Sequence, residues 1–345
     1  MKCKHTNIIR LVILSLSLFI FDKLKAFPYD SLYNVAYTEI SEMLDGKRPL
    51  SIKRAVFLAE WAYLDGNLDY EQDICKPIEK AVSFLERLIT VNNSWSYKTA
   101  KQIALTDYFF KPWSGNNHTP FTYDYGVELP INDFRQQLVS RTLRTHKGQC
   151  RPLPLTFKVI AEEFGAEVFL TRAPRHAYIT YPDLDDLFPE DTVNVELTTQ
   201  HFIPSFCIKE RFFIKEEAIK AGTYMTPLTD KQTVAYQLAD LALSYLEKNG
   251  NFYNEFTLKC SIKSLEYLPM NPNAILIKGH SYEHILQRYL YCTNGIPDHY
   301  SESLLSAMNK CYVELEATHW TFISDEVGDK LYKPIDNYNP IIITK

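Results

Sequence analysis

Three residues stand out for the chemistry their types and order allow: Cys150 in Gly148-Gln149-Cys150, His176 after Ala173-Pro174-Arg175, and Glu196 in Asn194-Val195-Glu196. A thiolate is the nucleophilic form of cysteine, and a helix N-terminus stabilises its charge through the helix dipole and unpaired N–H groups. Gly148 would let the chain turn sharply into such a helix and leave the sulfur exposed at its tip. An imidazole beside the sulfur would hold the thiolate as an ion pair and later protonate a leaving amine. A carboxylate would orient the ring and favour imidazolium. Taken alone, Cys150 reads more simply as a buried residue at a helix start, and His176 as a strand-edge residue bonded to backbone. The order Cys, His, Glu joins them into a candidate catalytic triad.

Other groups near these three have supporting roles open to them. Asn194 falls on the same side of its strand as Glu196 by the two-residue period, and is the alternative third member or an orienting group. An oxyanion would take the Cys150 backbone N–H and a second donor, for which Gln149, Gln136 and Gln137 are candidates. Arg151 and Arg175 flank the proposed catalytic residues and would attract an acidic or carboxylate-bearing substrate, although ordinary surface charge reads the same way. His201 follows Thr198-Thr199-Gln200 and reads as a structural or exposed residue. His280 and His284 stand four apart on one helix face, as metal ligands can, but no carboxylate-bearing partner helix accompanies them. The sequence therefore assigns no metal and no cofactor.

The elements that must position this chemistry follow from periodicity. Apolar residues at helical spacing predict helices over Ser31–Leu44, Ile52–Tyr63, Ile74–Val91 and Trp95–Phe110. Lys111-Pro112 and a loop to Thr122 end that series. The pattern Phe134, Leu138, Val139, Leu143 predicts one helix over Ile131–Arg144, with Asn132 or Asp133 as its cap. A second, deeply buried helix runs from Cys150 to Phe164 and stops at Gly165, with Pro152 and Pro154 confined to its first turn. Period-two stretches over Glu167–Leu170, His176–Tyr181 and Val193–Leu197 predict three strands. Beyond Thr226-Pro227 the chain reads as four helices, Val234–Leu246, Phe256–Leu268, Ala274–Leu290 and Ser301–Leu315, in two units of about 40 residues. Two aromatic clusters, Tyr108-Phe109-Phe110 with Trp113 and Phe121 with Tyr123 and Tyr125, read as core between domains or, less simply, as a groove for an extended chain.

Length and composition bound the rest. The 345 residues suffice for two or three modest domains, and 46% hydrophobic with 23% charged residues is globular usage, which argues against disorder. Lys2, Lys4 and Arg10, an apolar run from Leu11 to Phe21, and Ala26 follow the plan of a signal peptide, with an uncleaved anchor or a buried first helix as the alternative. Its removal lowers the net charge from −5 to −9. With no basic stripe, nucleic acid is not expected as a partner, and membrane contact is expected only through an uncleaved leader. Six of the seven cysteines lie beyond the leader, widely spaced and without a C-x-x-C pair, so neither a zinc ribbon nor a thioredoxin-type centre is expected.

Gly148-x-Cys150, the buried helix after it, Ala173-Pro-Arg-His176 and Asn194-x-Glu196-x-Thr198 resemble, in the same order, the motifs of the transglutaminase-like branch of the papain-type superfamily. The resemblance covers roughly residues 120–225, and the helical tail is similar to the tetratricopeptide appendage of an exported bacterial subgroup. It implies an α+β fold: a transglutaminase-like (papain-type) core with an antiparallel sheet, flanked by an N-terminal helical segment and a C-terminal helical repeat-like domain. The implied layout is a signal peptide over 1–26, a helical domain over 27–115, the core over 116–225 and tetratricopeptide-like helices over 226–345. The family's Cys-His-acid triad carries over onto Cys150, His176 and Glu196, implying an exported, periplasmic or extracellular thiol enzyme acting on amide bonds of peptides or proteins. A protein partner on the C-terminal helices, or a catalytically degenerate binding module, is the alternative. Typical active members carry Trp after the nucleophile and Asp as third member, where this chain has Arg151 and Glu196.

Overall fold

The computed structural model of the chain describes residues 30–91, 97–126, 129 and 133–323, over which the protein is α+β, mostly helical, with a five-stranded antiparallel sheet and C-terminal helices. The leader read over residues 1–26 and the last residues of the helical tail lie outside the described residues.

Four helices come first: α1 (Asp30–Leu44), α2 (Ile52–Tyr63), α3 (Lys76–Val91) and α4 (Ala100–Phe110). On α1 the buried Tyr33, Ala36 and Ile40 form one stripe at helical spacing. Ser51 starts α2 by accepting the Arg54 N–H at 3.1 Å. The helix predicted from Ile74 begins instead with a π-helical turn at Tyr70–Cys75. After α4, the Asn116 amide donates to the Tyr108 and Lys111 carbonyls at 2.7 and 2.8 Å, partnering oxygens that a helix end leaves open.

The single helix predicted over 131–144 is two elements in its described part. A 3₁₀ turn at Phe134–Gln137 is followed by Leu138 in an extended conformation and then α5 (Val139–Thr145). The break has a tertiary cause: Glu60, buried on α2, accepts the N–H groups of Val139 and, at 3.0 Å, Ser140. A carboxylate from elsewhere in the chain thus caps α5, and burial raises its pKa despite those bonds.

Strands β1 (Thr122–Tyr123) and β2 (Lys147–Gly148) form a short parallel pair leading to α6 (Pro152–Phe164). The main sheet holds β3 (Phe169–Ala173), β4 (His176–Pro182), β5 (Thr192–Glu196), β6 (His201–Phe202) and β7 (Pro227–Leu228), in the order β6-β5-β4-β3-β7. Every residue of β4 from His176 to Tyr181 is buried, so both faces of the sheet are covered. Short helices α7 (Ser205–Arg211) and α8 (Glu216–Lys220) carry the chain from β6 to β7.

The C-terminal helices α9 (Asp230–Lys248), α10 (Glu255–Tyr267), α11 (Pro272–Cys292) and α12 (His299–Ala317) each pack on the next. Thr229 with Gln232, Asn254 with Thr257 and Asp298 with Ser301 form capping boxes at α9, α10 and α12. Helix α9 also packs on α1 and α2, where Tyr33 meets Tyr245 and Phe256 edge-on at 5.1 and 5.6 Å. One hydrophobic cluster therefore runs from Tyr33 to Ile277, through residues on both sides of positions 115 and 225. Phe109 stacks on Phe121 at 4.1 Å inside it, so the aromatic clusters serve as core there, while Tyr125 is exposed. Among the described residues no helix is long and apolar enough to cross a membrane.

Candidate active site

The sequence dictates a tight β3–β4 hairpin: Ala173 pairs with His176 across the two-residue turn Pro174-Arg175. Arg175 takes the left-handed conformation, φ 55°, which costs a non-glycine residue about 1–2 kcal/mol. Its carbonyl meets the Cys150 Sγ at 3.5 Å, so the hairpin tip sits against the sulfur. Cys150 is half-buried and lies in the turn ahead of α6, which begins at Pro152 rather than at the cysteine. The Leu153 N–H already bonds to the Gln149 carbonyl, and Pro152 and Pro154 have no N–H.

Gly148 is needed for a different reason from the sharp turn expected of it. Its φ is not positive, and a Cβ there would stand 2.6 Å from Thr142 Oγ1 and 3.3 Å from Leu153 Cγ. The glycine lets β2 press against α5 and α6.

His176 Nε2 meets Glu196 Oε2 at 2.6 Å, and the Cys150 side chain hydrogen-bonds to the same ring. Glu196 Oε1 accepts the Thr198 N–H and hydroxyl at 2.9 and 2.7 Å, which fixes the carboxylate. The His176 side chain is fully buried and Phe212 stacks on it, with ring centroids 4.5 Å apart. Burial disfavours the imidazolium, but the Glu196 charge and the bonds from Cys150 and Glu196 outweigh it and raise the His176 pKa to about 9. Burial likewise pushes the Glu196 carboxyl up, and the His176 ring and Thr198 hold it below its ordinary value. The structure thus brings Cys150, His176 and Glu196 together in series.

The supporting residues fall elsewhere. Asn194 shares the Glu196 side of β5, but its amide donates to the Ile203 carbonyl and Ser205 Oγ at 3.1 and 3.0 Å, so it ties β5 to α7 instead of holding the ring. The Gln149 amide donates to Gln136 and accepts from Gln137, linking three glutamines side by side. Arg151 turns away from solvent to Asp240 of α9, 2.8 Å apart, and lines a small recess with Glu60, Gln237 and Asp240. Burial raises the Asp240 pKa to about 6 even against the Arg151 charge. Arg175 Nη1 donates to the Ile323 carbonyl at 3.1 Å. His201 is the ladder partner of Glu196. The rings of His280 and His284 pack on Tyr253, and among the described residues no group of three metal-ligating side chains is assembled. All six cysteines in the described residues are free thiols.

Sequence reasoning missed Phe212, Asp240, Tyr236 and Arg172. Tyr236 and Asp240, four apart on α9, reach the site from the C-terminal helices, and the Tyr236 hydroxyl feels the charges of Asp240, Arg151, Arg172 and Cys150. Their helical spacing marked them only as core. The chain matches no family model, no curated protein and no solved structure.

Proposed function

We propose that the protein is an exported thiol acyl-transfer enzyme of the transglutaminase-like type, acting on amide bonds of peptides or proteins. The observation that carries this reading is the His176 ring, bonded to the Glu196 carboxylate and with its pKa raised by both Glu196 and the Cys150 side chain, whose sulfur meets the adjoining Arg175 carbonyl. Cys150 as thiolate attacks the amide carbon, forming a C–S bond. The C–N bond then breaks as the His176 imidazolium protonates the departing amine. Water or a second amine gives a proton back to the imidazole and attacks the thioester carbon, and the C–S bond breaks, releasing the acyl product and restoring the thiolate and imidazolium. Glu196 keeps the ring oriented through this cycle and favours its charged form. The helical tail resembles a tetratricopeptide appendage and would present a protein-binding surface.

Alkylation by iodoacetamide tests the proposal. Cys150 should react faster than the exposed Cys292 and faster than a free cysteine, and His176→Ala should bring it down to the free-cysteine rate. A rate at Cys150 equal to that of free cysteine and indifferent to His176→Ala would remove the activated nucleophile. A catalytically degenerate binding module is the second reading, favoured by the complete burial of the His176 side chain beneath Phe212. Its mark would be a peptide or protein ligand bound equally well by Cys150→Ala, with no acyl-enzyme trapped in the unaltered protein.

A further inference from the structure

Among the described residues, buried cations come with counter-charges. Arg141 pairs with Asp124 at 2.7 Å, Arg151 with Asp240 at 2.8 Å and Lys158 with Asp230 at 2.7 Å. Arg172 is the exception. It is 5% exposed, and its two hydrogen bonds go to neutral oxygens: Nη1 to Asn271 Oδ1 and Nη2 to the Met270 carbonyl, both at 3.2 Å. Its Nε–H has no partner. Burial pushes its pKa down, as it must for a charge taken from water without an opposite one. Among the described residues of a chain with an excess of acidic side chains, no salt bridge reaches this guanidinium.

The neighbour is equally unusual. Asn271 stands at the N-cap of α11, a 21-residue helix, and its side chain makes no cap bond. Its oxygen faces Arg172, and its Nδ2 group, in a residue only 1% exposed, has no partner. An unpaired guanidinium N–H and an unpaired amide N–H belong to two residues joined by one hydrogen bond, the second of them at the positive end of a long helix, and all three favour an anion. The place adjoins the candidate active site. Arg172 pairs with Ala177, one rung from Ala173–His176, and leaves the opposite face of the hairpin whose tip touches Cys150. Tyr236 lies within electrostatic reach of both Cys150 and Arg172.

We propose that Arg172, Asn271 and the α11 N-terminus bind one carboxylate of the peptide substrate, across the hairpin tip from His176. One planar guanidinium with a single positive charge matches a carboxylate, whereas a phosphate dianion calls for more charge than the site holds. This deepens the thiol acyl-transfer reading and rests on it for where the reacting bond lies. It names substrates with a free carboxylate close to the cleaved amide.

The test uses the full chain with N-acetyl-alanyl-alanine and its C-terminal amide as probes, read by Tm and by the iodoacetamide rate at Cys150. The acid should raise Tm and, at ten times its Kd, slow alkylation about tenfold, as occupancy of a single site requires; the amide should do neither. Arg172→Met should abolish both effects. Asn271→Asp, which keeps the shape and supplies the missing counter-charge, should raise Tm without ligand and also abolish the response to the acid. Equal responses to acid and amide, an undiminished response in Asn271→Asp, or a Tm rise without slower alkylation would overturn the assignment. So would inorganic phosphate stabilising the protein at a lower concentration than the acid. A basal rate indifferent to His176→Ala would instead sink the enzyme reading, and the Tm measurement would still decide the anion site.

Discussion

The two faces of the β3–β4 hairpin carry buried charge in opposite ways. On one, His176 is enclosed yet sits beside Glu196, whose other oxygen is held by Thr198, so burial and pairing work against each other and pairing prevails. On the other, Arg172 is nearly as buried and meets only neutral oxygens, so burial prevails. The lesson is that burial alone does not mark a finished electrostatic arrangement. A compensated pair is complete within the fold, whereas an uncompensated cation carries a desolvation cost that no partner offsets.

Removing a partner from the compensated side should have the largest effect. Glu196→Ala leaves the His176 ring without its counter-charge and should cost about 3–5 kcal/mol of stability in urea unfolding, the range for breaking a buried pair. A loss below about 1 kcal/mol would mean that the pair is no more than a surface-type contact. The next effect is pH-dependent. The folded-state pKa of His176 is raised, so its contribution is complete below the unfolded imidazole value of 6.5 and is lost as pH rises through about 9. Urea midpoints between pH 6 and 10 should decline by an amount on the order of 1–3 kcal/mol, and His176→Phe should flatten that decline. The smallest effect belongs to the other face. Arg172→Met replaces an uncompensated charge with an apolar side chain of similar length, and should change stability by no more than about 1 kcal/mol or raise it. If Arg172→Met costs as much as Glu196→Ala, the contrast between the two faces fails.

Local signals made much of this arrangement legible. Ile52–Tyr63 has the bounds its apolar spacing predicts: Ser51 caps it, and the distant Glu162 carboxylate accepts the Ile52 and Lys53 N–H groups without moving its start. Of the four C-terminal helices, α9, α11 and α12 extend a few residues past their predicted bounds, α9 and α12 back to the capping residues Thr229 and Asp298, while α10 is shifted by one residue. Cys150, His176 and Glu196 could be picked out because a helix start and two strand ends bring different functional types into one order. What remained hidden depends on side chains arriving from distant segments. The Glu60 carboxylate breaks the helix predicted through Leu138, and Asp240 draws Arg151 inward although its sequence position suggests a substrate contact. Asn194 and Glu196 share a face, but Ser205 claims the amide, a competition that no periodicity encodes. Arg172 on an alternating strand carries no mark that its counter-charge is missing.

The packing of α9 against α1 and α2 sets an order of events for the nascent chain. Tyr33 must wait for Tyr245 and Phe256, about two hundred residues downstream, before its ring is enclosed, and pairings so distant in sequence close slowly. The nucleophile segment is synthesised long before Tyr236 and Asp240 are available to it. An incomplete chain would therefore carry the thiol without its assembled surroundings, and the site would form only once the polypeptide is nearly finished.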